Sequence, residues 1–209
     1  MKKHIIIFLL LSAFLQSCIH FHAGYKSVQY NENKPLVFPM NFNKALYKTN
    51  IHFLNKDFSG LMLFKHMEDE HATRIVFMSE FGLKFFDFKL ADNGAFSVEF
   101  IIDEMNKKSL VSILEKDLKL LFQKEVPPAE TKYFYHKKQT AYMQKYKPKS
   151  GRNYYFFDKE NKQISRIEYS GALFKKIKIS LDNYQQSIPQ SIDIKHINMA
   201  LRLQLKLIK

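Results

Sequence analysis

Residues 47–102 hold five short apolar segments, 49–55, 60–66, 73–79, 83–90 and 95–102, each rich in Phe, Ile, Leu, Val or Met. The separators, 56–59, 67–71, 80–82 and 91–94, are short and contain Gly, Asn, Asp or Ser. Such linkers suit hairpin turns and are too short for the crossover that a parallel pair requires. The stretch is therefore expected to run as an antiparallel meander. Its strands are apolar on both faces. Leu61 and Leu63 oppose Met62 and Phe64, and Ile75 and Phe77 oppose Val76 and Met78. Lys84, Phe86, Phe88 and Leu90 oppose Leu83, Phe85, Asp87 and Lys89. A sheet with one wet face would alternate cleanly. This one should be covered on one side and either covered or hollow on the other.

Leu110, Val111, Leu114, Leu118, Leu121 and Phe122 then recur at helical spacing, with Ser112, Lys116, Lys119 and Gln123 opposite them. Ile113 and Leu120 widen the apolar surface. Asp103 or Asn106 can cap the start, where acids such as Asp103 and Glu104 suit the helix dipole, and Pro127 and Pro128 forbid continuation. A helix this apolar within a strand-rich chain must pack on the sheet.

Strands resume at 132–139, 142–146, 152–157, 163–169 and 173–181, with turns at 150–151 and 158–162. Ile177, Ile179 and Leu181 alternate with Lys176, Lys178 and Ser180, so that strand has a wet face. Beyond Pro189, Ile192 and Ile194 alternate with Asp193 and Lys195. Leu201, Leu203, Leu205 and Leu207 alternate with Arg202, Gln204 and Lys206. Burying those leucines contributes roughly 1.5–3 kcal/mol each, enough to make the segment a closing strand. The expected fold class is mainly β with α (α+β).

The beginning of the chain is of another kind. Lys2 and Lys3 precede a nearly unbroken apolar run over 4–15, and Leu15, Gln16, Ser17 and Cys18 follow. The run falls short of the roughly 20 residues that span a bilayer and reads as a secretory signal. Because it ends on the chain's single cysteine, it resembles the bacterial lipoprotein signal. Leu15 and Ser17 match that lipobox, and Gln16 is a less common occupant of its place. The resemblance implies loss of residues 1–17 and lipid attachment, palmitate included, at Cys18. An ordinary signal with an incidental cysteine is the alternative. In the enteric sorting rule an aspartate after the cysteine retains a lipoprotein at the inner membrane; Ile19 implies the outer membrane instead. Residues 18–44, with Asn31, Asn33, Pro35 and Pro39, read as a tether, and 45–209 as one domain with its own core.

The formal net charge is +13. In an exported chain this favours anionic headgroups over nucleic acid, at about 1 kcal/mol per cation near the surface. Plain solubility explains it equally well. No pattern for catalysis or a nucleotide is present: no Gly-x-Ser-x-Gly, no P-loop and no Gly-x-Gly-x-x-Gly. His20 and His22 have no further ligand nearby, and His66 and His71, with acids between them, lack the His-Glu-x-x-His spacing. Tyr133 and Lys137 match a dehydrogenase pair without a nucleotide-binding unit, and Arg152 reads as a surface residue. No enzymatic activity, metal or cofactor is expected.

Lipobox, tether, five-strand meander, one helix and further strands, in that order, resemble the lipoprotein-localisation carrier and receptor superfamily, the LolA/LolB-like fold. Residues 60–90, 110–122 and 188–207 carry the resemblance, which would cover about 44–209. It implies a strongly curved antiparallel sheet forming an incomplete barrel, closed by the central amphipathic helix over an apolar cavity. Cys18 points to the membrane-anchored receptor side. The expectation is a periplasm-facing outer-membrane lipoprotein, a monomer, that takes acyl chains of a lipoprotein or lipid, with a soluble periplasmic carrier of the same fold as a partner. Phe64, Phe77, Phe86 and Phe88 on the strands, with Leu114, Leu118 and Leu121 on the helix, are expected to border the acyl site. The alternative is a structural or assembly lipoprotein with a filled core and no ligand.

Overall fold

The computed structural model describes residues 22–29, 42–124, 131–158, 163–172 and 174–208. Cys18, the apolar run before it, most of the expected tether, Pro127 and Pro128 lie outside the described residues. The strands are β1 (Lys26–Val28), β2 (Lys44–Phe53), β3 (Lys56–Met67), β4 (Ala72–Met78), β5 (Lys84–Ala91) and β6 (Phe96–Ile101), followed by the helix α1 (Lys108–Leu121). Then come β7 (Lys132–His136), β8 (Ala141–Tyr146), β9 (Arg152–Asp158), β10 (Ile164–Ser170), β11 (Lys175–Gln185), β12 (Ile188–His196) and β13 (Leu201–Leu207). All thirteen strands form one sheet in the order β1-β7-β8-β9-β10-β11-β12-β13-β2-β3-β4-β5-β6. Each neighbouring pair is antiparallel. The sheet does not close on itself: β1 and β6 are its edges.

Alternation sets the inner face. Ala45, Tyr47, Thr49, Ile51 and Phe53 are buried on β2 while Lys44, Lys48, Asn50 and His52 are exposed, and β13 buries Leu201, Leu203 and Leu205 in the same way. The doubly apolar strands resolve unequally. Met62, Phe64, Ile75 and Phe77 are buried, whereas Leu61, Leu63, Val76 and Met78 on the other face are half-buried. Register sets Leu46 beside Leu63 and Leu63 beside Val76, so the outer apolar positions form one row across three strands.

Several local expectations need correction. The first separator is not 56–59: Phe53 pairs with Lys56, and Leu54 takes a left-handed backbone (φ 55°) in a tight turn. Pairing then continues through Phe58, whose ring meets Phe85. Lys84 does not share a face with Phe86. A register shift at Met78 turns Lys84 toward Asp87, 3.0 Å from its carboxylate, and brings Phe85 against Phe77. Gly60 has no room for a side chain, since a Cβ there would fall 2.0 Å from the Met78 carbonyl oxygen. The helix starts later than Asp103 or Asn106 would place it. Its N-cap is Lys107, which makes no side-chain capping bond, because residues 102–106 form turns of their own that bury Met105. Within the stretch read as a tether, β1 pairs with β7 at the sheet's edge.

Helix α1 buries Leu110, Leu114, Leu118, Leu120 and Leu121, with Asp117 among them. Phe122, just after it, packs on Phe42 and Phe64 and fastens that end of the helix to the sheet.

Candidate functional site

The inner face of the sheet gathers the seven expected acyl-site residues. Phe64, Phe77, Phe86 and Phe88 from β3, β4 and β5 share one core with Leu114, Leu118 and Leu121 from α1. The helix contributes these three at i, i+4 and i+7, which places them on one face toward the strands. Phe86 stacks on Phe88 with centroids 4.2 Å apart and tilts against Phe77 at 5.4 Å. Phe64, Phe86, Leu114, Leu118 and Leu121 border a common void, but its volume is about 10 Å³. That is room for about one water and far from an acyl chain. The expected residues meet, and the space between them is closed.

Among the described residues an open space lies on the other flank of α1. A groove of about 620 Å³ runs between the helix and the ends of β10, β11 and β12. Ile113, Tyr169, Ile177 and Met199 supply its apolar lining, and Lys116, Lys119 and Lys176 its cations. The Lys116 ammonium lies 4.6 Å from the centre of the Tyr169 ring, and Lys119 pairs with Glu115 at 2.6 Å. This volume falls within the ~300–1,000 Å³ usual for small-molecule sites.

A buried His–Asp hydrogen bond stands between groove and void. His196 lines the groove, Asp117 lines the void, and Nε2 of His196 lies 2.9 Å from Oδ2 of Asp117. Burial raises the pKa of Asp117, and the hydrogen bond and charge of His196 oppose that rise. Oδ1 of Asp117 has no hydrogen-bond partner among the described residues. Sequence reasoning missed this pair. The available signal was Asp117 three residues after Leu114, a carboxylate on the helix's apolar stripe.

A second buried carboxylate sits under the N-terminal segment. Glu168 on β10 meets His22 at 3.2 Å, Lys175 at 2.7 Å and Arg166 at 3.1 Å. The His22 ring packs on Tyr154 at 4.4 Å, so His22 closes a cluster around this carboxylate. Burial alone would raise the pKa of Glu168, but the hydrogen bonds from His22 and Lys175 and the nearby charges outweigh it and hold it at about 2. A depressed carboxyl adds stability above its unfolded pKa and loses it as pH falls through its folded one. Acid titration from 4.5 down to about 2 should therefore weaken this clasp. Glu168→Gln should remove that acid-linked loss, read as a flatter dependence of the unfolding midpoint on pH. An unchanged slope would sink the assignment.

Among the described residues no three His, Cys, Asp or Glu side chains stand close enough to hold a metal ion, and His66 instead approaches the Thr73 hydroxyl at 3.4 Å. No helix of the described residues is long and apolar enough to cross a membrane.

No protein-family model matches the chain, and no curated protein matches it. Among solved structures it is similar to a crystal structure from Vibrio parahaemolyticus, a domain named for outer membrane lipoprotein sorting. The TM-score is 0.51 with 8% sequence identity, over 82% of this chain and 86% of that one. At that identity the likeness is one of fold. The chain thus shares the fold of that lipoprotein-sorting domain, in keeping with the LolA/LolB-like resemblance expected from the order of the elements.

Proposed function

We propose that this chain is an outer-membrane lipoprotein, anchored through Cys18, that faces the periplasm and accepts acyl chains of a lipid or lipoprotein on their way to the membrane. In this reading the open sheet is an incomplete barrel, and α1 closes it as an amphipathic lid. The transfer involves no covalent chemistry, only an apolar site that competes with that of a soluble carrier. The groove of about 620 Å³ beside α1 carries the reading, supported by the shared fold. It has apolar walls for a chain and lysines for an acidic head. The Phe64–Leu118 region is the chain's deeper destination only if α1 lifts, since its present void is about 10 Å³.

The purified protein should take up a fluorescent fatty acid from buffer and lose that ability on Met199→Trp, which fills the groove. Uptake that survives Met199→Trp moves the site elsewhere, and no uptake by the parent ends the reading. The filled void favours a second reading, a structural lipoprotein with no ligand. Under it neither variant nor parent takes up lipid. Mass spectrometry of the mature N-terminus tests the anchor separately.

A further inference from the structure

We propose that one end of the sheet is a second membrane contact, a rim of apolar turns that lies on an anionic bilayer beside the N-terminal anchor. Eight large apolar side chains are exposed among the described residues. Five of them, Leu54, Phe81, Leu83, Phe174 and Ile197, occur in turns. Strand polarity puts all of those turns at one end. They follow β2, β4, β10 and β12, which share a direction because every neighbouring pair is antiparallel. Backbone hydrogen bonds tie the turns together: Leu54 N–H donates to Ala200, and Ile197 N–H to Lys176. Phe81 is fully exposed at its hairpin tip. The turns at the opposite end, 68–71, 92–95, 137–140 and 186–187, hold no large apolar residue, though Ile208 is exposed there.

Charge names the occupant. The adjoining turns 147–152 and 171–176 carry Lys147, Lys149, Arg152, Lys175 and Lys176 and no acid. Elsewhere on the rim, with the loop after β6 included, Lys56, Lys84, Lys107 and Lys108 stand with Asp57, Glu80, Asp103 and Glu104. At the other end Glu68, Asp69, Glu70 and Asp92 fill the first two turns, with Lys137 and Lys138 in the third. Apolar tips among cations fit anionic headgroups above acyl chains, the pattern of surface-bound segments.

The N-terminal segment points to the same end independently. His22 is held by Glu168 and Tyr154, each two residues from the rim ends of β10 and β9, Ser170 and Arg152. Cys18 is four residues earlier, so whatever the path of that stretch it reaches at most about 14 Å from His22. If Cys18 is lipidated, as proposed above, a bilayer lies that close to the rim. The groove opens there too, since Met199 and Ser150 belong to rim loops. The clasp on His22 would then set orientation, presenting the groove mouth to the lipid surface.

The chain contains no tryptophan, which makes single substitutions clean reporters. The lipidated protein, carrying Phe81→Trp or Phe174→Trp at the rim, or Gln139→Trp or Ile208→Trp at the other end, is reconstituted in phosphatidylethanolamine–phosphatidylglycerol vesicles with brominated acyl chains. Circular dichroism checks that each variant is folded. Rim tryptophans should be quenched and blue-shifted, and those of the other end should match their emission in detergent. Equal quenching at both ends, or none at the rim, overturns the proposal. Rim quenching that is as strong with phosphatidylcholine replacing both lipids overturns its anionic part. Fatty-acid uptake by the same variants keeps the two readings apart: the rim stands or falls on quenching, the groove on uptake.

Discussion

His196→Ala should destabilise the domain by about 3–5 kcal/mol, because it leaves the carboxylate of Asp117 buried without its partner. Asp117 is 1% exposed and meets His196 at 2.9 Å, so the carboxyl loses its partner at a buried position. The effect depends on pH in a definite sense. Burial raises the folded pKa of Asp117 above 3.8, so the folded protein keeps this proton to higher pH than the unfolded chain does. Between those two values stability falls as pH rises. Removing His196 takes away the contacts that oppose the rise and widens that interval. The deficit should therefore be largest at about pH 7 and shrink toward the ordinary carboxylate range. Urea unfolding at the two ends of that range measures it. A deficit that is flat with pH, or under about 1 kcal/mol, would discard the buried-charge account. The double variant Asp117→Leu with His196→Leu should recover much of the loss, since a packed apolar pair carries no desolvation cost.

Leu118→Ala should cost about 2–5 kcal/mol. The side chain is 7% exposed and borders a void of about 10 Å³, so deleting its methyls opens space that nothing fills. Leu114→Phe at the same void should cost about 1–3 kcal/mol by overpacking. Both should lower the urea midpoint without changing the slope. If instead both variants keep the parent's midpoint while fatty-acid retention changes, the closed core is a resting state that ligands open, and α1 is a lid in solution.

The periodic parts of the fold were legible in the sequence, and the parts that depend on partners were not. Leu201 to Leu207 announced β13 because two-residue alternation survives wherever one face is wet. The hairpins of β3, β4 and β5 were found, but Leu54 hid the first turn, since nothing local marks a leucine at φ 55°. The bulge at Met78 was hidden too, being a property of two strands and not of one. At the site, all seven expected residues proved to share a core, yet their spacing could not say whether they touch. Phe86 and Phe88 would read alike on either side of a hollow. The partners of the buried Asp117 and Glu168 were not legible, because His196 and His22 are far away in the chain.

The order of strands also constrains how the molecule can form. The meander β2–β6 and the run β7–β12 are each local in sequence, and they join through a single seam, β13 against β2, where Leu207 faces Tyr47. Each half can begin to pair as soon as it exists, but the sheet becomes one only when β13 arrives. Until then β2 and β12 both offer a bare edge, the kind of surface on which strands of other molecules add. Closing so long a loop is slow compared with hairpin formation. The interval before the seam closes is thus when this chain is most exposed to mispairing, and substitutions in β13 should act on the yield of folded protein before they act on anything the folded protein does.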